Sequence, residues 1–279
     1  MVEKSLRKAL TMQPAVSLFL SIAFIALFGV FWVLPQIRSE VESRQSELAR
    51  AAVSQLEIFL ETSMAIVRGS ALTNIDVGPT LPHSQNLLDA QLLASSTLNS
   101  IVVTDYNGQT VAAGVLAGKV IHRKDLLNLD ISQTPIFKQV IENKAPQWSE
   151  TFLSVITGRI SVAYAVPREQ VIAIGEVDLE ILSSFLQQIV EKSNLMIMII
   201  DNKGQVIADN NNQYTGQQFN IANIPLVQKA IHVGLSSTES FEFQKQKMVG
   251  SVLQVPLIDW TVLVAQPLSS MYQPILTTS

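Results

Sequence analysis

The chain has 279 residues, a formal net charge of −4 and no cysteine. Its acidic balance, without a long basic run, excludes the electrostatic surface that nucleic-acid-binding proteins need. The lack of cysteine excludes disulfides and thiolate metal sites, so packing alone must stabilise the fold.

The first predicted element is a transmembrane helix over residues 14–35. Its uncharged run from Ala15 to Leu34 is about 20 residues long, enough to cross a bilayer. A signal peptide has a shorter apolar region and a small-residue cleavage site, and a buried core helix is rarely apolar on every face. Lys4, Arg7 and Lys8 precede the run, so we expect residues 1–13 in the cytoplasm and residues 36–279 in the periplasm.

A long stalk helix is predicted over residues 36–73. Its apolar side chains recur at helical spacing: Ile37, Val41, Leu48, Ala52, Leu56, Phe59 and Ile66. This stripe can pack on the chain's own domain, and it can also form a homodimer. Gly and Pro in residues 74–83 end the helix, and a further helical stretch is expected around Leu87 to Leu98.

Two predicted hairpins follow, and they share one sequence pattern. The pattern D-x-x-G-Q-x-x-A begins at Asp105 and again at Asp201, and each copy lies between β-rich runs. Every shared position is displaced by 96 residues. We expect both aspartates to make local turn bonds. The second copy predicts an internal repeat.

The rest of the unit repeats as well. A short helix opened by proline occurs at Pro135–Ile141 and at Pro225–Ile231. Strands are predicted at Trp148–Val155, Ile160–Val166 and Val171–Val177, then at Glu239–Phe243, Met248–Val255 and Trp260–Val264. A linking helix over residues 179–193, with Asp178 as its N-cap, joins the two units. The predicted fold class is therefore α+β, with two tandem antiparallel-sheet modules.

These segments together resemble the double Cache (dCache) family of extracytoplasmic sensor domains. The resemblance rests on VVTDYNGQTVAA, MIIDNKGQVIAD, SQTPIFKQVIENKAPQWSETFLSVITGRISVAYAVP and IAIGEVDLEIL. Such domains occur in bacterial chemoreceptors, histidine kinases and cyclic-di-GMP enzymes. The resemblance implies a long N-terminal helix that supports a membrane-distal PAS-like module, residues 74–178, and a membrane-proximal one, residues 194–279.

Family resemblance also implies a ligand site in the distal module. It assigns Thr134, Ile136 and Phe137 to the cover, and it places Phe152 where the family commonly has Tyr. Glu176 stands where amino-acid-binding members have an Asp that holds the ligand's ammonium. Those members also use an Arg and an aromatic in the cover, and here the positions are Thr134 and Ile136. An amine or polyamine therefore fits as well as an amino acid.

Strand alternation bears on the same site. It puts Ile172, Ile174 and Glu176 on one face. If that face is internal, the buried carboxylate needs a partner: a cationic ligand, Arg159 or Lys138. A Glu at the solvated sheet rim is the alternative. Aromatic candidates can be core or ligand wall, and the predicted ligand-binding set is Glu176, Phe152, Trp148, Tyr164, Phe137, Thr134 and Asp178.

Other chemistries lack a pattern. His83, His122 and His232 have no metal-ligand spacing, and no catalytic motif occurs, so we predict no metal, no cofactor and no enzyme in the exported region. The expected partners are a small polar ligand, the membrane and a second copy of the chain. A protein-interaction or dimerisation scaffold is the alternative function, and an exported enzyme is a distant third. The chain stops at Ser279, where the family enters a second transmembrane helix and an output domain, so it is either a fragment of a receptor or a stand-alone envelope protein.

Overall fold

The computed structural model describes residues 24, 34–72, 81–115, 123–127, 129–190 and 195–271. Its helices are α1 (Leu34–Leu72), α2 (Leu81–Ala94), α3 (Arg123–Leu126), α4 (Pro135–Asn143), α5 (Leu179–Ile189) and α6 (Pro225–Val233). A 3₁₀ turn spans Leu268–Met271. The predicted transmembrane segment, 14–35, lies almost wholly outside these ranges. Within them, no helix combines the length and the apolar character that a membrane crossing requires.

The distal module is built on a six-stranded antiparallel sheet with the order β2-β1-β6-β5-β3, and β4 lies beside β5. Its strands are β1 (Ser100–Thr104), β2 (Thr110–Val115), β3 (Gln147–Trp148), β4 (Phe152–Leu153), β5 (Ile160–Pro167) and β6 (Ile172–Asp178). Central strand β6 is buried along its whole length. Apart from Glu176 and Asp178, its residues carry no polar side chain on either face, because each face is covered by other elements.

The proximal module repeats this plan with a five-stranded sheet in the order β8-β7-β11-β10-β9. Its strands are β7 (Met196–Ile200), β8 (Val206–Asp209), β9 (Ser237–Phe243), β10 (Gln246–Val255) and β11 (Trp260–Pro267). The long N-terminal helix, the two antiparallel sheets and the mixed fold class predicted from the sequence are confirmed.

Helix α1 supports both modules. It contacts β5 and β6 in the first sheet and β10 and β11 in the second. The side chains that it buries recur every three or four residues and include Ala52, Leu56, Leu60 and Val67. The apolar stripe therefore packs on the chain's own two sheets, which was one of the two uses expected for it.

Each hairpin turn is fixed by its aspartate, as predicted. Asp105 Oδ1 accepts hydrogen bonds from the amides of Asn107 and Gln109, both at 2.9 Å. Asp201 Oδ1 accepts from the equivalent amides at 2.9 and 2.8 Å. These bonds replace backbone contacts that the reversing chain cannot make for itself.

Three predicted boundaries need correction. Helix α2 begins at Leu81 instead of near Leu87, because a proline in the first turn, Pro82, is compatible with helix. The linking helix ends at Ile189, and residues 191–194 lie outside the described ranges. The single strand predicted at Trp148–Val155 is two short strands, since the Ser149 hydroxyl accepts the Ala163 amide at 2.9 Å and takes the place of a ladder bond.

A glycine within α1 gives a simple stability prediction. A Cβ added at Gly69 would have no neighbouring heavy atom within 4 Å. Alanine loses less backbone entropy than glycine in a helix, so Gly69→Ala is expected to raise the free energy of unfolding by up to about 1 kcal/mol. Urea denaturation of the two chains measures this, and a loss of stability would contradict it.

Candidate ligand-binding cavity

A cavity of about 490 Å³ opens in the distal module between the sheet and the segments that cover it. Strands contribute Val102, Thr110, Phe152, Leu153, Ala163, Ile174 and Glu176 to its wall. Loops and short helices contribute Leu126, Leu129, Ile131, Thr134, Pro135, Ile136, Gln139, Ser149, Glu150, Thr151, Val155 and Ile156. The wall is mostly apolar with a few polar groups, which is the usual make-up of a small-molecule site.

Strand register brings Glu176 into this wall. Glu176 pairs with Ala163 on β5 and with Ser100 on β1, so its side chain lies on the cavity face of the sheet. Ile174 lines the cavity two residues earlier, as the predicted alternation requires. Only 8% of Glu176 is exposed. The acid is therefore inside an apolar wall, and the solvated-rim alternative is excluded.

One hydroxyl holds the Glu176 carboxyl. Ser154 Oγ donates to Glu176 Oε2 at 2.6 Å, and Ser154 is itself 1% exposed. The other oxygen, Oε1, has no hydrogen bond from the described residues. Ser100, across the strand pair, has a buried hydroxyl that makes no hydrogen bond of normal geometry to the described residues, but it lies close enough to the Glu176 carboxyl to favour its charged form. The carboxyl thus keeps one oxygen for something that enters the cavity.

Burial raises the pKa of the Glu176 carboxyl above its ordinary value, because the charged form loses its hydration. Hydroxyl groups on Ser154 and Ser100 act against this by favouring the charged form, and the negative charge of Asp178 adds to the rise. Burial wins. A cation placed beside this group would therefore lower its pKa and restore its charge.

Neither of the two basic residues considered from the sequence pairs with Glu176. Arg159 Nη1 lies 3.3 Å from Asp178 Oδ2 and also bonds to Glu180. Lys138 is on the exposed side of α4. Across the described ranges, no lysine, arginine or histidine makes an ion pair with Glu176. A ligand is left as the predicted source of positive charge.

Two predicted aromatic residues lie on the opposite face of the sheet. Tyr164 pairs with Gly175 and with Trp148, so all three share the face that meets α1. The Tyr164 hydroxyl accepts from Arg68 Nη2 on that helix at 3.1 Å. Trp148 packs against Tyr164 and against Trp260 of the proximal module, with ring centroids 5.1 and 6.2 Å apart. Neither side chain lines the cavity.

Of the other predicted residues, some line the cavity and others lie outside it. Phe152, Thr134 and Ile136 line the cavity. Phe137 is buried behind it in a small core with Val140. Asp178 caps α5 by accepting the Glu180 amide at 2.9 Å, which confirms its predicted capping role and leaves it outside the cavity wall.

The same position in the proximal module is apolar. Met196 pairs with Ala265 there as Ser100 pairs with Glu176 in the distal module. Tyr214, Ile224, Leu226 and Met248 belong to the packed core on that side of the second sheet. An acid in the wall is therefore a feature of one module and no requirement of the shared fold.

Sequence reasoning missed several cavity residues. Val155 and Ile156 lie in the loop after β4, and Val102 lies on β1. Ser154 was not singled out, although it lies between Phe152 and Ile156. A serine has no signal of its own in an apolar run, because only the strand register shows that it meets Glu176.

Comparison with known proteins places the chain in a family. Residues 34–275 match the dCache model, which describes a Cache domain. No curated protein sequence matches the chain.

Solved structures share the fold. The ligand-binding domain of the Pseudomonas fluorescens chemoreceptor CtaA, in complex with L-isoleucine, is similar with a TM-score of 0.63 and 12% identity, over 88% of this chain and 99% of that one. That of the Pseudomonas aeruginosa PAO1 amino acid chemoreceptor PctB, in complex with L-Arg, has a TM-score of 0.64 and 14% identity, over 84% and 98%. An extracellular ligand binding receptor from Desulfohalobium retbaense has a TM-score of 0.57 and 13% identity, over 85% of this chain and 40% of that one. By its match to the family model, this chain belongs to the dCache family of Cache domains.

Proposed function

We propose that the chain is the extracytoplasmic sensing part of a bacterial membrane receptor and that its small-molecule ligand binds the distal cavity. One observation carries this: a buried acid with an open oxygen lies in the wall of a 490 Å³ cavity. Such a group is costly to bury without a partner. The proximal module has Ala265 at the position equivalent to Glu176. A positively charged ligand group supplies the missing partner.

The rest of the wall sets the ligand's other property. Leu153 and Val155 line the cavity and remain 65% and 63% exposed. A ligand with an apolar body would cover both side chains and gain roughly 25 cal/mol for each Å² of apolar surface removed from water. The ligand that fits is therefore a small organic cation, such as an amine or an amino acid with an aliphatic side chain. Isoleucine in the CtaA complex has both an ammonium group and an aliphatic body, and arginine in the PctB complex has two positively charged groups.

Signal transfer in this proposal starts at the loop 149–151. These residues line the ligand cavity and also a cleft of about 190 Å³ between the modules. Glu150 Oε1 binds Lys203 Nζ of the proximal hairpin at 2.8 Å. A ligand that favours one position of this loop shifts the population of two module arrangements against α1.

The membrane context belongs to the same proposal. Residues 14–35 anchor the chain in the bacterial inner membrane, the N-terminus is cytoplasmic, and residues 36–279 are periplasmic. Helix α1 carries the signal to the membrane as part of a homodimer. The exported region is non-catalytic.

A thermal-shift screen of the full 279-residue chain tests the sensing function. The panel pairs isopentylamine and 2-phenylethylamine with L-isoleucine, L-arginine, isopentanol and isovalerate, so charge and apolar body vary separately. A ligand at 100 times its dissociation constant stabilises the chain by about 2.7 kcal/mol, or roughly 5 to 10 °C. We expect the cationic compounds to raise the melting temperature and isopentanol and isovalerate to leave it unchanged.

The same screen separates the alternative function. If no compound shifts the melting temperature, the sensing proposal fails and the scaffold hypothesis takes its place. If isovalerate alone shifts it, a ligand binds but Glu176 does not receive a cation. If isopentylamine raises the melting temperature of the Glu150→Gln variant as much as that of wild type, the amine does not bind the exposed carboxylate of Glu150.

A further inference from the structure

Ser154 has an unusual set of contacts for a serine in an apolar segment. Its hydroxyl donates to Glu176 Oε2 at 2.6 Å. The same oxygen accepts the amides of Ile156 at 3.1 Å and Thr157 at 3.2 Å. The backbone of Ser154 also closes the loop, because its amide donates to the Arg159 carbonyl and its carbonyl accepts from Gly158. One buried residue thus connects the loop 154–159 to the acid in the cavity wall.

The direction of the Ser154 bond is determined by this geometry. A serine hydroxyl has one proton and two acceptor positions. Both acceptor positions are occupied by backbone amides, so the proton must be donated to Glu176. Oε2 is consequently an acceptor in every protonation state, and any proton that Glu176 binds must lie on Oε1, the oxygen without a described partner. Protonation and ligand binding therefore compete for one atom.

We propose that Ser154 is a positioning residue that stabilises the ionised form of Glu176 and leaves Oε1 as the cation-binding oxygen. This inference deepens the proposed function and rests on it for the identity of the ligand. The same hydroxyl also holds the loop 154–159, because it accepts the amides of Ile156 and Thr157. Loss of the hydroxyl removes the donor to Glu176 and the acceptor of two amides together.

A double-mutant cycle on stability tests the proposal without any ligand. The free energy of unfolding of the full chain is measured against pH for wild type, Ser154→Ala, Glu176→Gln and the double variant. A hydrogen bond to a charged group contributes more to stability than a hydrogen bond to a neutral group. We therefore expect Ser154→Ala to raise the unfolding equilibrium constant, relative to wild type, by about tenfold more at high pH than at low pH. In the Glu176→Gln background its effect is the same at every pH.

Other titratable groups cancel in this cycle. The charged side chains described on the elements around the cavity are Asp125, Asp130, Lys138, Glu142, Glu150, Arg159 and Asp178. All are present in each of the four chains. Ser183→Ala serves as a matched control, because Ser183 is also buried and its hydroxyl bonds to Thr215 at 2.7 Å instead of to a carboxylate.

Conservative variants separate positioning from packing. Ser154→Thr keeps the hydroxyl and is expected to restore the wild-type pH dependence, even if its methyl group lowers stability equally at all pH values. Ser154→Cys, a weak donor of similar size, is expected to give an intermediate pH dependence and replaces the alanine variant if that variant does not fold. A pH-independent effect of Ser154→Ala in both backgrounds would overturn the proposal.

An arm with isopentylamine separates this proposal from the function it rests on. We expect the Ser154→Ala chain to bind the amine about tenfold more weakly than wild type. If wild type binds no amine but the stability cycle shows the expected coupling, the ligand class is wrong and the role of Ser154 stands. Equal amine affinity in both chains, with no coupling in the cycle, refutes the role of Ser154 and leaves the sensing function in place.

Discussion

Glu176→Gln is expected to make the ligand-free chain more stable than wild type at neutral pH. Burial raises the pKa of Glu176 in the folded state above its ordinary value of 4.5. The folded chain therefore binds this proton more tightly than the unfolded chain does, and the stabilisation is fully present below pH 4.5. It is lost as the pH rises through the raised pKa. Glutamine is neutral at every pH and still accepts the hydrogen bond from the Ser154 hydroxyl. The variant is therefore expected to be more stable than wild type wherever the pH is high enough to ionise Glu176.

The measurement is chemical denaturation of both chains over a series of pH values. Glu150→Gln is the matched control, because Glu150 also lines the cavity but its side chain is 73% exposed and pairs with Lys203. That control should keep the wild-type pH dependence. Glu176→Gln chains with the same pH dependence as wild type would show that Glu176 titrates normally.

Ligand binding should change in the opposite direction. A bound ammonium makes a charge-assisted hydrogen bond to Glu176, and removal of the charge costs about 1.5–3 kcal/mol. Isopentylamine is therefore expected to bind Glu176→Gln at least tenfold more weakly than wild type. Calorimetry on chains whose stability has been verified separates this loss from unfolding. Equal affinity would remove Glu176 from the binding site.

Gly175→Val is expected to destabilise the distal module strongly. A Cβ at this position would overlap Cγ2 of Val67 on α1 and approach Leu98 to 3.3 Å. Overpacking of this kind typically costs 1–3 kcal/mol, and valine adds two further methyl groups, so we expect a loss of about 3 kcal/mol or more. Valine favours strands over glycine, so strand propensity acts against this loss.

A compensating variant makes the packing explanation specific. Val67→Ala alone leaves a void and should cost about 1–3 kcal/mol, whereas in the Gly175→Val background it should recover part of the lost stability. Gly69→Ala, on the same helix, supplies the control in which an added methyl group meets no neighbour within 4 Å. Additive losses in the double variant would place the cause of the instability elsewhere.

Local chemistry made much of the fold predictable. The D-x-x-G-Q hairpins, the proline-opened helices and the alternation of β6 each depend on a few neighbouring residues, and the structure has all three. The break at Ser149 was not predictable, because a side chain there replaces a backbone ladder bond.

The site was predictable only in part, for a related reason. Glu176 interrupts an apolar alternation and so is visible in the sequence. Tyr164 is flanked by apolar residues on both faces of β5, so the sequence does not tell which face it takes. The strand register determines the face of Tyr164, because Tyr164 pairs with Gly175. The contact between Ser154 and Glu176 depends on the pairing of β4 and β6 with β5 and on the loop after β4. No periodic pattern in the sequence indicates such a contact.

Adjacent residues of β6 face different neighbours: Glu176 borders the cavity, and Gly175 meets Val67 of α1. A sheet is one residue thick, so no compressible layer separates the two contacts. A glycine with a valine methyl already against it leaves no slack on the helix side. Under the proposed sensing function, an occupant that displaces β6 is therefore expected to press on α1 through Gly175 and Val67.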